Sequence, residues 1–173
     1  MPSTEELVKT ARAGEKTAFS ELVRRYERMA IVTAYSVLGD FHSAQDAAQE
    51  AFVVAYQKLN RLRDAASFGP WLLKIVRRRA VRLKRGLKTG LIGADYVESA
   101  ATKSPDWMEP YREVVQQIAR LPEHERIVTV MRYVDGQGIK EIAESTGRPV
   151  GTITKQLSRA IGRLRNWLVE VRS

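Results

Sequence analysis

One stretch, IKEIAESTGRPVGTITKQLSRA at residues 139–160, decides how the C-terminal part of this 173-residue chain folds. Ile139, Ile142 and Ala143 share one face of a first short helix, because residues three and four apart meet on a helix surface. Gly147 allows the chain to turn at positive φ, and Pro149 fixes the backbone entering a second helix. The stretch therefore predicts a helix-turn-helix.

The second helix of this motif is predicted to bury one apolar stripe and to leave polar side chains outside it. The stripe follows the helical three-and-four spacing through Val150, Ile153, Leu157, Ala160, Ile161, Leu164 and Leu168. The other faces carry Thr152, Thr154, Lys155, Gln156, Ser158, Arg159 and Arg163. Short polar and cationic side chains suit the major groove of DNA, where they reach base edges and phosphates. An ordinary helical hairpin with a solvated face stays open as an alternative.

Composition favours a polyanionic partner and disfavours several other classes of protein. The chain carries 29 Lys and Arg against 20 Asp and Glu, a net charge of +9, which suits nucleic acid but also membrane surfaces and acidic proteins. No apolar run approaches the roughly 20 residues that span a bilayer, and the N-terminus lacks the layout of a secretion signal. We therefore expect no membrane insertion and a cytoplasmic protein. Zero Cys excludes disulfides and thiolate sites, and His42 and His124 lie too far apart in sequence for a metal motif.

The helical patterns predict an all-α chain of two small domains joined by a flexible linker. Residues 1–85 read as four helices, residues 86–110 as the linker, and residues 111–173 as the helix-turn-helix domain. Local signals predict the helix ends in the first domain: Ser3 with Glu6 as a capping box, Gly14 and Gly39 as stops, Ser43 with Asp46 as a third start, and Ser67 as the cap of a fourth helix that holds Pro70.

The predicted fourth helix is strongly cationic. Its positive residues are Lys74, Arg77, Arg78, Arg79, Arg82, Lys84 and Arg85, with no acid from 67 to 85. Such cations repel one another on a purely structural helix, whereas DNA phosphates would neutralise them and release counterions. We interpret this helix as a second DNA-binding surface, with a solvated face as the alternative. The net charge is +7 in residues 1–85, −2 in the linker and +4 in residues 111–173.

The chain carries SAQDAAQEAFVVAY at 43–56, FGPWLLKIVR at 68–77 and a helix-turn-helix segment at 121–165, in this order. Together they resemble the extracytoplasmic-function sigma factors, small specificity subunits of bacterial RNA polymerase. SAQDAAQEAFVVAY at 43–56 is similar to the segment that docks on the polymerase's largest subunit in that family. FGPWLLKIVR at 68–77 is similar to the family's "F-x-x-W-L-x-x-I-A-R" helix, and residues 121–165 to its C-terminal domain. The resemblance implies a sigma factor whose partners are core RNA polymerase, promoter DNA and an anti-sigma factor.

The resemblance also implies roles for individual positions. Core polymerase binding falls on Asp46, Gln49, Glu50, Phe52 and Tyr56. Recognition and melting of the -10 element fall on Asn60, Arg61, Arg63, Asp64, Lys74, Arg77 and Arg78, with the loop at 60–66 capturing an extruded base. Recognition of the -35 element falls on Arg148, Thr152, Thr154, Lys155, Ser158 and Arg159. The linker acids Asp95, Glu98, Asp106 and Glu109 are expected to mimic nucleic-acid charge in a basic polymerase channel.

Other functions explain less of the sequence. A conventional helix-turn-helix repressor or activator leaves the segment at 43–56 and the cationic helix without a role. A sigma-mimicking binder of an anti-sigma factor would share the fold but would not need that helix, or Lys155 and Arg159. Because no Gly-rich phosphate loop, metal-ligand cluster or nucleophile with a base is present, we expect no enzyme, no catalytic residue, no metal, no cofactor and no small-molecule substrate.

Overall fold

The structure is a computed structural model that describes residues 1–89 and 105–171. Eight α-helices occupy these ranges, which contain no strand. They are α1 (Thr4–Arg12), α2 (Lys16–Leu38), α3 (Phe41–Lys58), α4 (Phe68–Lys88), α5 (Glu109–Arg120), α6 (Glu123–Tyr133), α7 (Ile139–Thr146) and α8 (Val150–Val171). Short 3-10 segments lie at Leu59–Arg61, Ala65–Ser67 and Asp106–Met108. The predicted all-α fold class is confirmed.

Several predicted helix ends are confirmed. The Ser3 hydroxyl accepts a hydrogen bond from the Glu6 amide, while the Glu6 carboxylate accepts one from the Ser3 amide, so the capping box forms as expected. Gly39 follows α2 with φ of 79° and Gly147 follows α7 with φ of 68°, the left-handed conformation that glycine adopts at low cost. The sequence therefore encodes these boundaries directly.

Two local predictions are wrong, and a third is right in position only. α3 begins at Phe41 rather than at Ser43, because Asp40 caps it and accepts a hydrogen bond of 2.8 Å from the Ser43 amide. Ser67 is the N-cap residue of α4, as predicted, but its side chain forms no capping bond, because its hydroxyl donates to Asp64. Val150 is 46% exposed rather than buried, because Ile153 is the residue of this first turn of α8 that enters the cluster.

The predicted linker is only partly within the described residues. α4 continues to Lys88 and α5 begins at Glu109, so both helices extend into the segment at 86–110. Residues 90–104, with Asp95 and Glu98, lie outside the described ranges. We call α1–α4 the N-terminal unit and α5–α8 the C-terminal unit.

Each unit has its own apolar cluster. In the N-terminal unit, Leu22, Phe68 and Leu72 are fully buried where α2, α3 and α4 pack together. The C-terminal unit has a smaller cluster, which consists of Val128, Met131, Ile142, Ile153 and Leu157. Met108, near the end of the predicted linker, and Val115 of α5 belong to the first cluster, so α5 and the segment before it contact the N-terminal unit through apolar side chains.

Candidate nucleic-acid interface

The helix-turn-helix is held together by a small apolar contact. Ile142 of α7 and Ile153 of α8 are fully buried against Val128 of α6. Because this contact fixes one face of α8 inside the unit, the opposite face is presented outward. The predicted exposure of Thr152, Thr154, Lys155, Ser158 and Arg159 is therefore found.

The structure does not bring all the predicted -35 residues to one place. Thr152, Lys155 and Arg159 follow the three-and-four spacing of one helical face and are all exposed. Thr154 and Ser158 instead line a groove with Tyr133 of α6 and Ile139 of α7. The Thr154 hydroxyl also donates to the carbonyl of Val150 at 3.0 Å, which occupies its proton within the helix. The exposed residues thus fall into two groups.

Arg148 lies in the turn before α8, and its side chain extends along α8 to Gln156. Its Nη1 donates to Gln156 Oε1 at 3.2 Å and to the carbonyl of His124 at 3.5 Å. Gln156 is half-buried, so it holds the guanidinium near the N-terminal end of α8. The helical pattern predicts an exposed Gln156, so its half-buried position and its bond with Arg148 differ from that prediction.

A buried carboxylate orients α8 on α6. Glu125 is 1% exposed, and its Oε2 lies 3.0 Å from Arg163 Nε in an ion pair. Glu125 carries no sequence signal of this role, because helical periodicity does not mark an acid as buried. Arg163 is exposed, as the sequence predicts, and also has a structural role.

Some cations of α4 are exposed to solvent, and others are partly or fully buried. Arg78, Arg82 and Arg85 are exposed at i, i+4 and i+7, and they border a cleft with Val81 and with Ile127 of α6. Burial lowers the pKa of Lys84, and the positive charge of Arg126 lowers it further. This side of the molecule is therefore strongly electropositive.

Arg77 differs from the other α4 cations. Its side chain is 10% exposed and forms an ion pair with Asp135, whose side chain is fully buried just after α6. Lys74 is half-buried. In this arrangement of the units, Arg78 is available to a nucleic acid and Arg77 is not.

The loop between α3 and α4 is anchored from inside and from the side. Leu59, Leu62 and Ala65 are buried, which leaves Asn60, Arg61 and Arg63 exposed between them. Arg12 of α1 donates from Nε to the carbonyl of Leu59 at 3.2 Å and from Nη2 to the carbonyl of Leu62. No local sequence pattern signals these two bonds, because their partners lie 47 and 50 residues apart in the chain.

Asp64 satisfies the backbone of its own loop. Its carboxylate accepts hydrogen bonds from the Ser67 hydroxyl at 2.6 Å and from the Ala66 amide at 3.0 Å. The Ser67 hydroxyl, followed by the Ala66 amide, lowers the pKa of Asp64. Of the predicted loop residues, Asp64 is the one whose acceptor oxygens are already occupied.

Two of the residues predicted to face the polymerase, Gln49 and Phe52, line an apolar groove between α2 and α3. Val53, which the sequence pattern does not single out, lines it as well and is 58% exposed. Tyr56 lies in a neighbouring hollow that shares Phe52 and Val53 with this groove. It is 45% exposed and packs edge-on against Phe19 with ring centroids 4.9 Å apart.

The polar positions of the same segment lie at the side of the groove. Glu50 is exposed, whereas Asp46 is half-buried with Oδ2 at 3.6 Å from His42 Nε2. Glu27 of α2 is a second acid on the groove wall. An apolar groove with acids beside it suits a helical partner of basic character.

The described residues contain neither a metal cluster nor a membrane span. Within 1–89 and 105–171, no group of three His, Asp or Glu side chains is placed to hold a metal ion. No helix in these ranges combines the length and the apolar character that crossing a bilayer requires.

An all-α chain with a helix-turn-helix and a second cationic helix is typical of a DNA-binding protein of the transcription machinery. The family description "Sigma-70 region 2" matches residues 22–89, and "Sigma-70, region 4" matches residues 111–164. The chain belongs to the extracytoplasmic-function family of RNA polymerase sigma factors.

Two curated relatives support this assignment along most of the chain. The ECF RNA polymerase sigma-E factor of Escherichia coli (strain K12) is 30% identical over 171 residues, which cover 89% of this chain and 88% of that protein. The ECF RNA polymerase sigma factor SigW of Bacillus subtilis (strain 168) is 28% identical over 181 residues, with 93% and 94% covered.

A solved structure shares the fold. The structure of CnrH in complex with the cytosolic domain of CnrY matches with a TM-score of 0.69 at 21% identity, over 99% of this chain and 100% of that one. The family membership makes this protein a promoter-directing sigma factor of RNA polymerase, and not an enzyme.

Proposed function

We propose that three separate surfaces divide the work of this sigma factor. The groove between α2 and α3 binds core RNA polymerase, the loop at 59–66 together with α4 binds the -10 element, and α8 binds the -35 element. The observation that carries this proposal is that α4 and α8 each present exposed cations, on different units, away from the apolar groove. Two DNA-binding surfaces suit a protein that contacts two separated promoter elements.

The proposal for the polymerase surface is supported by apolar side chains that are exposed to solvent next to acidic ones. Val53 and Tyr56 are large side chains left open to solvent, and burying them against a partner is favourable by the hydrophobic effect. Gln49 and Glu50 lie exposed on the same helix and would fix the register of a basic helical partner. Asp46 and Phe52 complete the segment, with Phe52 buried in the wall of the groove.

The -10 surface is supported by the shape of the loop. Buried anchors on both sides leave Asn60, Arg61 and Arg63 outside, in the loop that leads into α4. A loop held this firmly can offset the few kcal/mol that unstacking a base costs, because little further ordering is needed on binding. In this proposal Arg78 and Lys74 hold the backbone near the extruded base, and Asp64 shapes the loop.

At the -35 surface we propose that Thr152, Lys155 and Arg159 enter the major groove, with Arg148 held beside them by Gln156. Arg and Lys favour guanine edges, and a good bidentate pair discriminates by about 1–3 kcal/mol. Thr154 and Ser158 lie on the flank of α8 and contribute to the edge of this surface.

Run-off transcription with sigma-free core polymerase tests this division. On a library of promoter fragments, addition of the protein should give specific transcripts that reveal both promoter elements. Lys155→Ala with Arg159→Ala should reduce transcription by at least tenfold, since two groove contacts of about 1 kcal/mol or more are lost. The control Lys9→Ala with Arg24→Ala removes two exposed cations from α1 and α2 and should leave the level of transcription unchanged.

Two results would count against the proposal. Equal transcription by the α8 variant and the control would remove α8 from promoter recognition. Absence of transcripts together with tight, sequence-dependent duplex binding by the protein alone would favour a conventional regulator.

We further propose that an anti-sigma factor controls this protein and that both act in the cytoplasm, where polymerase and promoters are. The support is the likeness to CnrH, which was solved with the cytosolic domain of CnrY, and the open apolar groove between α2 and α3. A purified candidate partner should suppress run-off transcription at a one-to-one ratio. It should also compete with core polymerase for the protein, and failure to compete would exclude the groove as its site.

A further inference from the structure

Arg148 and Gln156 form a hydrogen-bonded pair beside α8. Arg148 Nη1 donates to Gln156 Oε1 at 3.2 Å and to the carbonyl of His124, in the first turn of α6, at 3.5 Å. Both residues are half-buried. Because bonds to two helices restrict the rotamers of a long, flexible side chain, the guanidinium of Arg148 keeps a defined position beside α8.

The direction of this bond limits what Gln156 can recognise. A guanidinium carries donors only, so the Gln156 atom that meets it is the amide oxygen. A side-chain amide recognises adenine when this oxygen accepts from N6 while the amide nitrogen donates to N7. In Gln156 the oxygen is already bonded to Arg148, within the chain. Gln156 is therefore not arranged for a bidentate contact with adenine, although its residue type and its place on α8 would suit one.

Arg148 keeps the donors that a base contact needs. Both of its described bonds start from Nη1, whereas a guanidinium has five N–H groups. Nε and Nη2 form a fork of two parallel donors, the pattern that matches O6 and N7 of guanine. Gln156 follows Thr152 by four residues and precedes Arg159 by three, so it borders the exposed face that carries them. The bond therefore places the guanidinium of Arg148 at the edge of that face.

We infer that Arg148 reads a guanine of the -35 element and that Gln156 is its positioning residue rather than a base reader. The inference rests on the proposed binding of α8 to that element, and it assigns separate roles to the two bonded side chains. A guanidinium that is already held loses less rotamer freedom when it meets a base, so the bond to Gln156 favours the contact. Removal of either partner should therefore weaken the preference for the same base.

Transcription from a promoter library that is randomised in the -35 element measures the base preference at each position. The readout is run-off transcription by core polymerase with the full chain. Arg148→Ala should lower the preference for guanine at one position by about fivefold or more and leave the other positions unchanged. Gln156→Leu keeps the size of the side chain and removes the acceptor, so it should lower the preference at the same position by about twofold to tenfold.

Further variants separate the bond from other effects of the substitution. Gln156→Glu keeps an acceptor for Arg148 and should retain the preference for guanine, although its negative charge weakens binding to every sequence. Gln116→Leu makes the same exchange at an exposed position of α5 and should change no preference. If thermal unfolding shows that Gln156→Leu does not fold, the unbranched Gln156→Met takes its place. Equal losses in Gln156→Glu and Gln156→Leu would overturn the positioning role.

Combining the two substitutions shows whether the pair acts as one unit. If Gln156 acts through Arg148, Arg148→Ala with Gln156→Leu should have the same preferences as Arg148→Ala alone, because no guanidinium is left to position. Independent losses that multiply would mean that each side chain contacts DNA by itself, and the positioning role would be wrong. Loss of a preference for adenine in Gln156→Leu, with Arg148→Ala unchanged, would make Gln156 the base reader and overturn the whole inference.

The same library separates a base contact from a phosphate contact. A lost phosphate contact weakens binding to all sequences about equally, whereas a lost base contact relaxes the choice at one position. Uniform weakening by Arg148→Ala, with every preference intact, would place the guanidinium on a phosphate and contradict the inference.

Lys155→Ala with Arg159→Ala distinguishes failure of this inference from failure of the proposed function. If that double variant loses preferences in the -35 element while Arg148→Ala keeps all of them, only the inference fails. If both keep every preference, α8 does not read the element, and the proposed function of α8 fails as well.

Discussion

The two units are stabilised in different ways. In the N-terminal unit, apolar side chains from four helices fill one extended cluster. Among the described residues of the C-terminal unit, five buried side chains form the cluster, and polar bonds supplement it. Arg126 donates to the carbonyl of Ala119 at 2.9 Å and Arg132 to the carbonyl of Gln137 at 3.0 Å. A unit this small buries little apolar surface, so each of its contacts carries a larger share of its stability.

The largest expected effect is therefore in the smaller cluster. Ile153→Ala removes a fully buried side chain and should cost about 2–5 kcal/mol, comparable with the whole stability of so small a unit. Amide NMR should show loss of dispersed signals from α6–α8. Leu72→Ala, the matched change in the larger cluster, should lower Tm while α1–α4 stay folded. If both variants unfolded the whole chain in one transition, the two units would not differ in this way.

Replacing one glycine in each unit by alanine should change the free energy of unfolding in opposite directions. A Cβ on Gly69 would lie 2.8 Å from Tyr26 Cε1, and Tyr26 is confined by an edge-on contact with Phe68 and by the Thr4 hydroxyl. Gly69→Ala should therefore destabilise by about 1–3 kcal/mol. Gly162 lies in α8 with open space around it, so Gly162→Ala should stabilise by up to about 1 kcal/mol.

Denaturant unfolding measures both glycine variants. A neutral Gly69→Ala would mean that Tyr26 moves aside without loss. A destabilising Gly162→Ala would mean that α8 has a neighbour at this position.

The cations of α4 should reveal their role through salt dependence. Arg82→Ala with Arg85→Ala should reduce the slope of log K against log salt for duplex DNA by about two, one for each lost phosphate contact. The control Lys9→Ala with Arg24→Ala lowers net charge equally, but from α1 and α2. Equal slopes in the two double variants would indicate that only net charge matters, and not the position of the cations.

The smallest expected effect is a pH dependence of the loop. Because hydrogen bonds from Ser67 and Ala66 lower the pKa of Asp64, the loop contact is stable above the ordinary aspartate pKa of about 3.9 and is lost as pH falls through the lower folded value. The Ala66 amide signal in NMR should titrate with a midpoint below about 3.9. Ser67→Ala should move that midpoint upward. An unchanged midpoint would remove the hydroxyl as the cause.

Local signals in the sequence predicted the helices well but not the contacts between them. The capping box at Ser3 and the turn at Gly147 depend on residues a few positions apart, so the sequence encodes them directly. The bonds of Arg12 to the loop and of Arg77 to Asp135 join residues far apart in sequence, and no periodicity reports them. The third helix start was misplaced because Asp40 and Ser43 are both good caps, and only the backbone geometry at Asp40 decides between them.

Exposure of the site residues was predicted better than their grouping. Lys155 and Arg159 were expected outside and are exposed. The sequence assigns Thr154 and Ser158 to the same surface, yet both border a groove with Tyr133. Which face of α8 lies next to α6 and α7 depends on how the helices pack, and the helical pattern of α8 alone does not specify that. The roles assigned to individual residues stay predictions.

Arg12 has a consequence for engineering new promoter preferences. Its guanidinium holds two carbonyls of the loop at 59–66, yet Arg12 lies before residue 22, where the match to the region 2 family begins. In a chimera that takes only the loop and α4 from a relative, Arg12 would have to bond to the carbonyls of a loop with a different sequence. Transfers of this loop between sigma factors should therefore include position 12.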